Sequence, residues 1–233
     1  MRSSALEDSR TRSPLAPTLS PLGGGGPTSS GPNVDTSWAT RETKSGPRVT
    51  RSMAPPFFTV GHSTRTIEEF VELLRASGVR LVIDIRTVPR SRHNPQYNGD
   101  SLGEALAPYQ IDHDRIPALG GLRGRVREVP PERNGWWENR SFHNYADHAL
   151  SEDFRAGLET LVALGRERPV AMMCSEAVWW RCHRRIVADH LIARGESVFH
   201  LMGGGRAEPA RMSEGARVSE GLVTYPGLTE ASS

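Results

Sequence analysis

Short apolar runs alternate with amphipathic stretches from Phe57 to about Met202, and each run gives way to a polar, reactive end. Phe57-Phe58-Thr59-Val60 reads as a buried strand ending at Gly61-His62-Ser63, and Arg80 to Ile85 as a second, delivering Asp84 and Arg86. Val170 to Met173 reads as a third, ending in Cys174 and Glu176, and Val198 to Met202 as another. Unbroken apolar runs of this length suit parallel strands covered on both faces. Helical spacing is read over Ile67 to Ser77, with Thr64 or Thr66 as its cap and Gly78 at its end. Ser101 to Tyr109 reads as a short helix, Tyr145 to Arg166 as a long one, and Arg181 to Arg194 as a helix after the Cys174 strand. Asp112 to Ala118 is a candidate strand closing at Leu119-Gly120-Gly121. Arg123 to Arg140 reads as an irregular insertion, and Val218 to Tyr225 as a hairpin turning at Glu220-Gly221. Strands separated by helices predict an α/β fold: one compact domain over residues 56–228, its largely parallel sheet flanked by helices.

Composition changes the picture at the ends. Residues 1–55 are rich in Ser, Thr, Pro and Gly and cannot bury enough apolar surface to order, so a disordered tail is expected, or a start mis-assigned upstream of Met53. Residues 229–233 form a short C-terminal tail. The first 55 residues carry seven basic and four acidic groups, which leaves 22 basic against 23 acidic in the remainder. That balance lacks the broad positive footprint of a non-specific nucleic-acid binder, although local arginine clusters keep nucleic acid open as a partner. Lys44 is the single lysine, so the other cations are guanidinium groups suited to bidentate oxyanion contacts. No apolar stretch approaches the ~20 residues that span a bilayer. Two cysteines make no disulfide framework, and a cytoplasmic protein with reduced thiols is expected. The sequence specifies no cofactor and no oligomeric state.

Chemistry concentrates where the strands end. In a parallel sheet the C-terminal ends of the strands share one edge, so His62 and Ser63, Asp84 and Arg86, and Cys174 and Glu176 are expected to meet in one cleft. The bland alternative is an Asp84–Arg86 ion pair with His62 as a turn residue. Cys174 is a candidate nucleophile, its thiolate favoured by a helix N-terminus and by Arg181 and Arg184. The glycine-free loop Ser175-Glu176-Ala177-Val178-Trp179-Trp180 argues against an anion cradle of backbone amides, and a small buried packing cysteine is the plain alternative. Cys174, Cys182 and His183 are also possible metal ligands. The eight-residue cysteine spacing, and the diverging directions of Cys182 and His183 on a helix, count against that reading. Asp84 or Glu176 would be general acid or base, with His62 and His183 orienting groups or shuttling protons.

The loop after Arg86 offers Arg90, Arg92, His93, Asn94, Gln96, Tyr97 and Asn98. Arginine for phosphate, amides for base edges and tyrosine for stacking suit a small anionic or nucleotide-like ligand, while a solvated loop held by Asn and Pro turns is the alternative. Ser63, Arg86, Arg90, Asn94, Gln96, Tyr97, His183 and Arg184 are the candidate ligand-binding residues. Trp136, Trp137, Trp179 and Trp180 read either as a stacking platform or as the edge of a core.

Several pieces together resemble the domain of unknown function 488 family. They are Thr59 to Ser63, Asp84-Ile85-Arg86, Pro89-Arg90-Ser91, Asn94 to Asn98, Leu119-Gly120-Gly121, Ser141-Phe142 through Tyr145-Ala146, Met173 to Glu176 through Cys182-His183-Arg184, and Leu222 to Pro226. The resemblance runs in order over residues 57–226 and departs at Trp179, where the family has proline. It implies an α/β fold with a pocket lined by these motifs, and it implies no reaction. The expectation is an enzyme acting on a small anionic or nucleotide-like ligand. A non-catalytic nucleotide or nucleic-acid binding module and a metal-binding regulatory protein are the alternatives.

Overall fold

A computed structural model describes residues 54–227. The expected disordered tail therefore lies outside the described residues apart from Ala54 and Pro55, as does the C-terminal tail. The order is β1 (Phe57–Gly61), α1 (Ile67–Ala76), β2 (Leu81–Asp84), α2 (Leu102–Leu106), β3 (Asp112–Arg115), α3 (Arg140–His148), α4 (Glu152–Glu167), β4 (Val170–Cys174), α5 (Arg184–Ala193), β5 (Val198–Gly203), β6 (Arg206–Pro209), β7 (Arg217–Ser219) and β8 (Leu222–Thr224). Six strands form one sheet in the order β3-β2-β4-β1-β5-β6. The first five are parallel and β6 pairs antiparallel with β5. The expected hairpin forms a separate two-stranded sheet of β7 and β8.

The sheet is buried on both faces, which is why its inner strands are apolar without alternation. Phe57, Ile83 and Met172 join one core with α4 and α5 residues such as Phe154, Leu158, Ile186 and Leu191. Phe58, Val60, Val82 and Met173 join the other, under Phe70 and Leu74 of α1 and Leu102 and Leu106 of α2. The neighbouring strands β1 and β4 thus send their following helices to opposite faces. A crevice opens at such a switch point, outside the carboxyl ends of the strands.

α1 starts at Ile67 as expected, and of the two candidate caps it uses Thr66, which exchanges both bonds of a capping box with Glu69. Three boundaries differ from the sequence expectation. Tyr145 to Arg166 is two helices: α3 ends at His148, and Ser151 caps α4 by accepting from Phe154 N. The third strand stops at Arg115, since Pro117 opens a 3₁₀ turn over Pro117–Leu119. The last expected helix starts at Arg184, not Arg181. Trp179–Arg181 form a 3₁₀ turn, and Cys182 is extended (φ −131°, ψ 144°). β6 was not anticipated; it follows Gly203, Gly204 and Gly205, all at positive φ.

Candidate functional site

Gly61 and Cys174 are register partners, so the loops after β1 and β4 leave the sheet side by side. The ladder continues past the strands, with His62 N donating to Cys174 O (2.9 Å) and Ser63 N to Ser175 O (3.0 Å). This closeness needs Gly61: a Cβ there would lie 1.8 Å from Glu176 O. Ser63 takes φ +51°, which turns the chain out over the crevice. The crevice is a cavity of about 730 Å³. His62, Ser63, Arg86, Arg90, Asn94, Cys174, Glu176 and His183 line it, as expected of them, and so does Cys182.

Four other candidates do not reach it. The Asp84 carboxylate is fully buried and spent on Arg86, taking its backbone N (2.9 Å), Nε (3.0 Å) and Nη2 (2.7 Å). It holds the guanidinium and has no path to a ligand as acid or base. Tyr97 is fully buried; its ring stacks on His62 (centroids 4.1 Å apart) and its hydroxyl donates to Thr66 O (3.1 Å). Gln96 donates to Arg65 O (3.2 Å). Arg184 is 1% exposed, donates to Glu176 O (2.7 Å), and its Nε has no partner among the described residues. These four build the walls behind the cavity.

Arg86 also donates through Nη2 to Tyr97 O (2.6 Å) and through Nη1 to His62 Nε2 (3.2 Å). One Nη1 hydrogen of its five N–H groups is left without a partner among the described residues, on a side chain that lines the cavity. His62 must accept at Nε2 while Nδ1 donates to Ser63 O (2.8 Å), so both ring nitrogens are engaged. Burial lowers its pKa to about 4 against the opposing Ser63 hydrogen bond, and the ring is neutral at pH 7. The ring bonds to the Arg86 guanidinium and helps fix its orientation.

The cysteines meet through the fold. The extended Cys182 and the cap residue His183 both turn toward Cys174, so the expectation that they diverge was wrong. His183 Nδ1 lies 3.6 Å from Cys182 Sγ and 3.9 Å from Cys174 Sγ. His183 Nε2 donates to Ile85 O (3.0 Å), which leaves the lone pair of the neutral ring on Nδ1, toward the sulphurs. Gly121 makes room: a Cβ there would lie 2.4 Å from Nδ1. Both thiols are free and buried. Cys174 is pushed up, first by its hydrogen bond with Cys182 and then by burial. Cys182 is pushed down: burial opposes this, but the Cys174 thiol and the Arg184 charge outweigh it.

Residues 66–191, more than half of the chain, match the family described as Domain of unknown function DUF488. The chain belongs to this family. No curated protein and no solved structure matches it. The DUF488 match is shorter at both ends than the motif resemblance, so the His62 loop and Leu222 to Pro226 lie outside it.

Inside the DUF488 match, several residues are framework. Tyr145 is buried and its hydroxyl donates to Leu119 O (2.8 Å), fixing the loop that carries Gly121. Trp179 stacks face to face on His200 of β5 (4.3 Å, 9°). Trp136 and Trp137 pack with Tyr225, so they edge a core, while Trp180 is exposed. Thr87, Val88, Leu122 and Asn139 also line the cavity without having been named, whereas Arg181 was expected beside Cys174. Ser91, Ser141 and Phe142 line it too and stood in quoted family pieces. Asn139 shows as a helix cap, accepting from Ser141 N (2.9 Å).

Proposed function

We propose that this DUF488 protein is an enzyme acting on a small anionic or nucleotide-like ligand held in the strand-end cavity. One observation carries the reading: an arginine with a spare, fixed N–H and a thiol–imidazole cluster line the same cavity. A pre-oriented guanidinium costs little reorganisation on meeting an oxyanion. Arg90 and Arg181 add charge at the exposed rim, and Val88, Leu122 and Phe142 offer apolar surface for a ring. The Cys174–Cys182–His183 cluster supplies the reactive groups, Glu176 is the acid–base candidate, and Asp84, His62 and Tyr97 position Arg86. Among the described residues no helix is long and apolar enough to cross a membrane. We place the protein in the cytoplasm, where two unpaired thiols stay reduced.

The test is a binding panel of phosphate, sulfate and nucleoside mono- and diphosphates, read by thermal unfolding, with mass spectrometry of the incubated ligands. A ligand at 100 times its dissociation constant stabilises by about 2.7 kcal/mol. Stabilisation that Arg90→Ala/Arg181→Ala weakens, with a new product mass, is expected. No stabilisation by any anion overturns the reading, and stabilisation without turnover reduces it to a binding module.

A further inference from the structure

We propose that Cys174, Cys182 and His183 form a binding site for zinc, with its fourth coordination position open to the cavity. The inference is independent of the enzymatic reading, since the site would hold metal with or without turnover. Sγ of Cys174, Sγ of Cys182 and one ring nitrogen of His183 all lie within 4.8 Å of one another. A tetrahedral zinc with Zn–S about 2.3 Å and Zn–N about 2.05 Å separates its sulphur and nitrogen ligands by about 3.6 Å. The two S···Nδ1 separations are 3.6 and 3.9 Å, within a few tenths of an ångström of that value, and the sulphurs lie within 4.8 Å of each other, against about 3.8 Å across a tetrahedral zinc.

The histidine is held as a ligand would be held. Its Nε2–H is tied to the Ile85 carbonyl, and this fixes the tautomer with Nδ1 free to coordinate. Zinc-bound histidines are oriented by such a bond from their other nitrogen. Two thiolates and an imidazole are the soft-to-borderline donor set that selects zinc over magnesium or calcium. All three residues line the cavity, so the fourth position faces ligand-accessible space. Three protein ligands plus an open site is the pattern of zinc that works on substrates, whereas purely structural zinc is closed by four. The rival arrangement is a metal-free pair in which a Cys182 thiolate neutralises the buried Arg184.

The experiment is elemental analysis of the full chain, purified with reductant and without chelator, together with Co²⁺ titration of the metal-free wild type. About one zinc per chain is expected, with both thiols protected from iodoacetamide until a chelator is added. Cobalt should give thiolate-to-metal charge-transfer absorption and the intense visible bands of a four-coordinate ion. His183→Ala should weaken zinc binding by more than the ~10–100-fold that loss of an orienting partner costs. The cobalt spectrum needs no variant, so it decides the matter even if His183→Ala fails to fold. Free alkylation of both thiols in the presence of zinc, a disulfide without metal, or a cobalt spectrum lacking the thiolate band overturns the proposal.

Discussion

Two polar clusters meet α5, one carried on the helix itself and one at its N-terminal end, and the second lines the strand-end cavity. On the helix, Asp189 accepts from Ser213 N (2.9 Å) and from the Tyr225 hydroxyl (2.8 Å), while Arg185 donates to Ser213 Oγ (3.2 Å) and lies over the Trp137 ring. Burial raises Asp189 against these hydrogen bonds, and burial raises Tyr225. At the start of the helix, Asp84 pairs with Arg86, burial lowers His62, and the two thiols shift in opposite directions. The first cluster ties the segment after β6 to α5, with Arg185 Nε left without a partner among the described residues. The second leaves one arginine N–H and two sulphurs on a cavity wall. A perturbed acidity therefore does not by itself mark a site here; an unfilled valence beside open volume does.

The largest expected effect blurs that contrast. Asp84→Ala leaves Arg86 buried and unpaired, and such a break costs about 3–5 kcal/mol. Urea unfolding at pH 7 should show that loss, with anion binding lost too. A cost below about 1 kcal/mol would mean the pair is not the frame of the cavity. Next comes Tyr225→Phe, which removes one bond to the buried Asp189 and should cost about 1–3 kcal/mol. It should leave anion binding unchanged, and a weakened ligand would show that the clusters are coupled.

Acid should act on both regions alike. Burial is the first cause of the lowered pKa of His62 (about 4), His200 (about 4) and His190 (about 3). Their folded values lie below the unfolded value near 6.5, so the unfolded chain takes up protons first. Stability present above about pH 6.5 is then lost progressively as pH falls toward 4 and below. Equilibrium unfolding across that range checks the slope, and constant stability from pH 7 to 4.5 would contradict the neutral buried rings. The smallest effect on stability belongs to the rim: Arg181→Ala should stay within about 0.5 kcal/mol of wild type yet weaken anion binding. A large loss of stability would show that Arg181 is structural.

Four of the five parallel strands were legible because each carries an apolar run, whereas β3 reads Asp-His-Asp-Arg; the shared cavity followed from three runs ending in reactive residues. What stayed hidden depends on backbone detail. Nothing in the sequence marks Cys182 as extended, yet that one residue turns an eight-residue spacing into a three-donor cluster. Asp84 stood either as an acid–base group or in an ion pair with Arg86, and it is the pair that forms, its geometry set by the loop after β2. Tyr97 looked like a stacking platform, but the 3₁₀ turn Pro95–Tyr97 aims it inward onto His62. Ser151 and Pro117 did carry signals, a helix cap and a strand breaker, that the periodicity over Tyr145 to Arg166 and Asp112 to Ala118 obscured.

The most direct test of the central claim is a crystal structure with the best-stabilising anion of the panel bound. The account predicts ligand density in the strand-end cavity, with an oxygen on Arg86 Nη1 and the rest of the molecule toward Cys174 and Cys182. Density at another surface, with the cavity and the fifth N–H of Arg86 left to water, would contradict it.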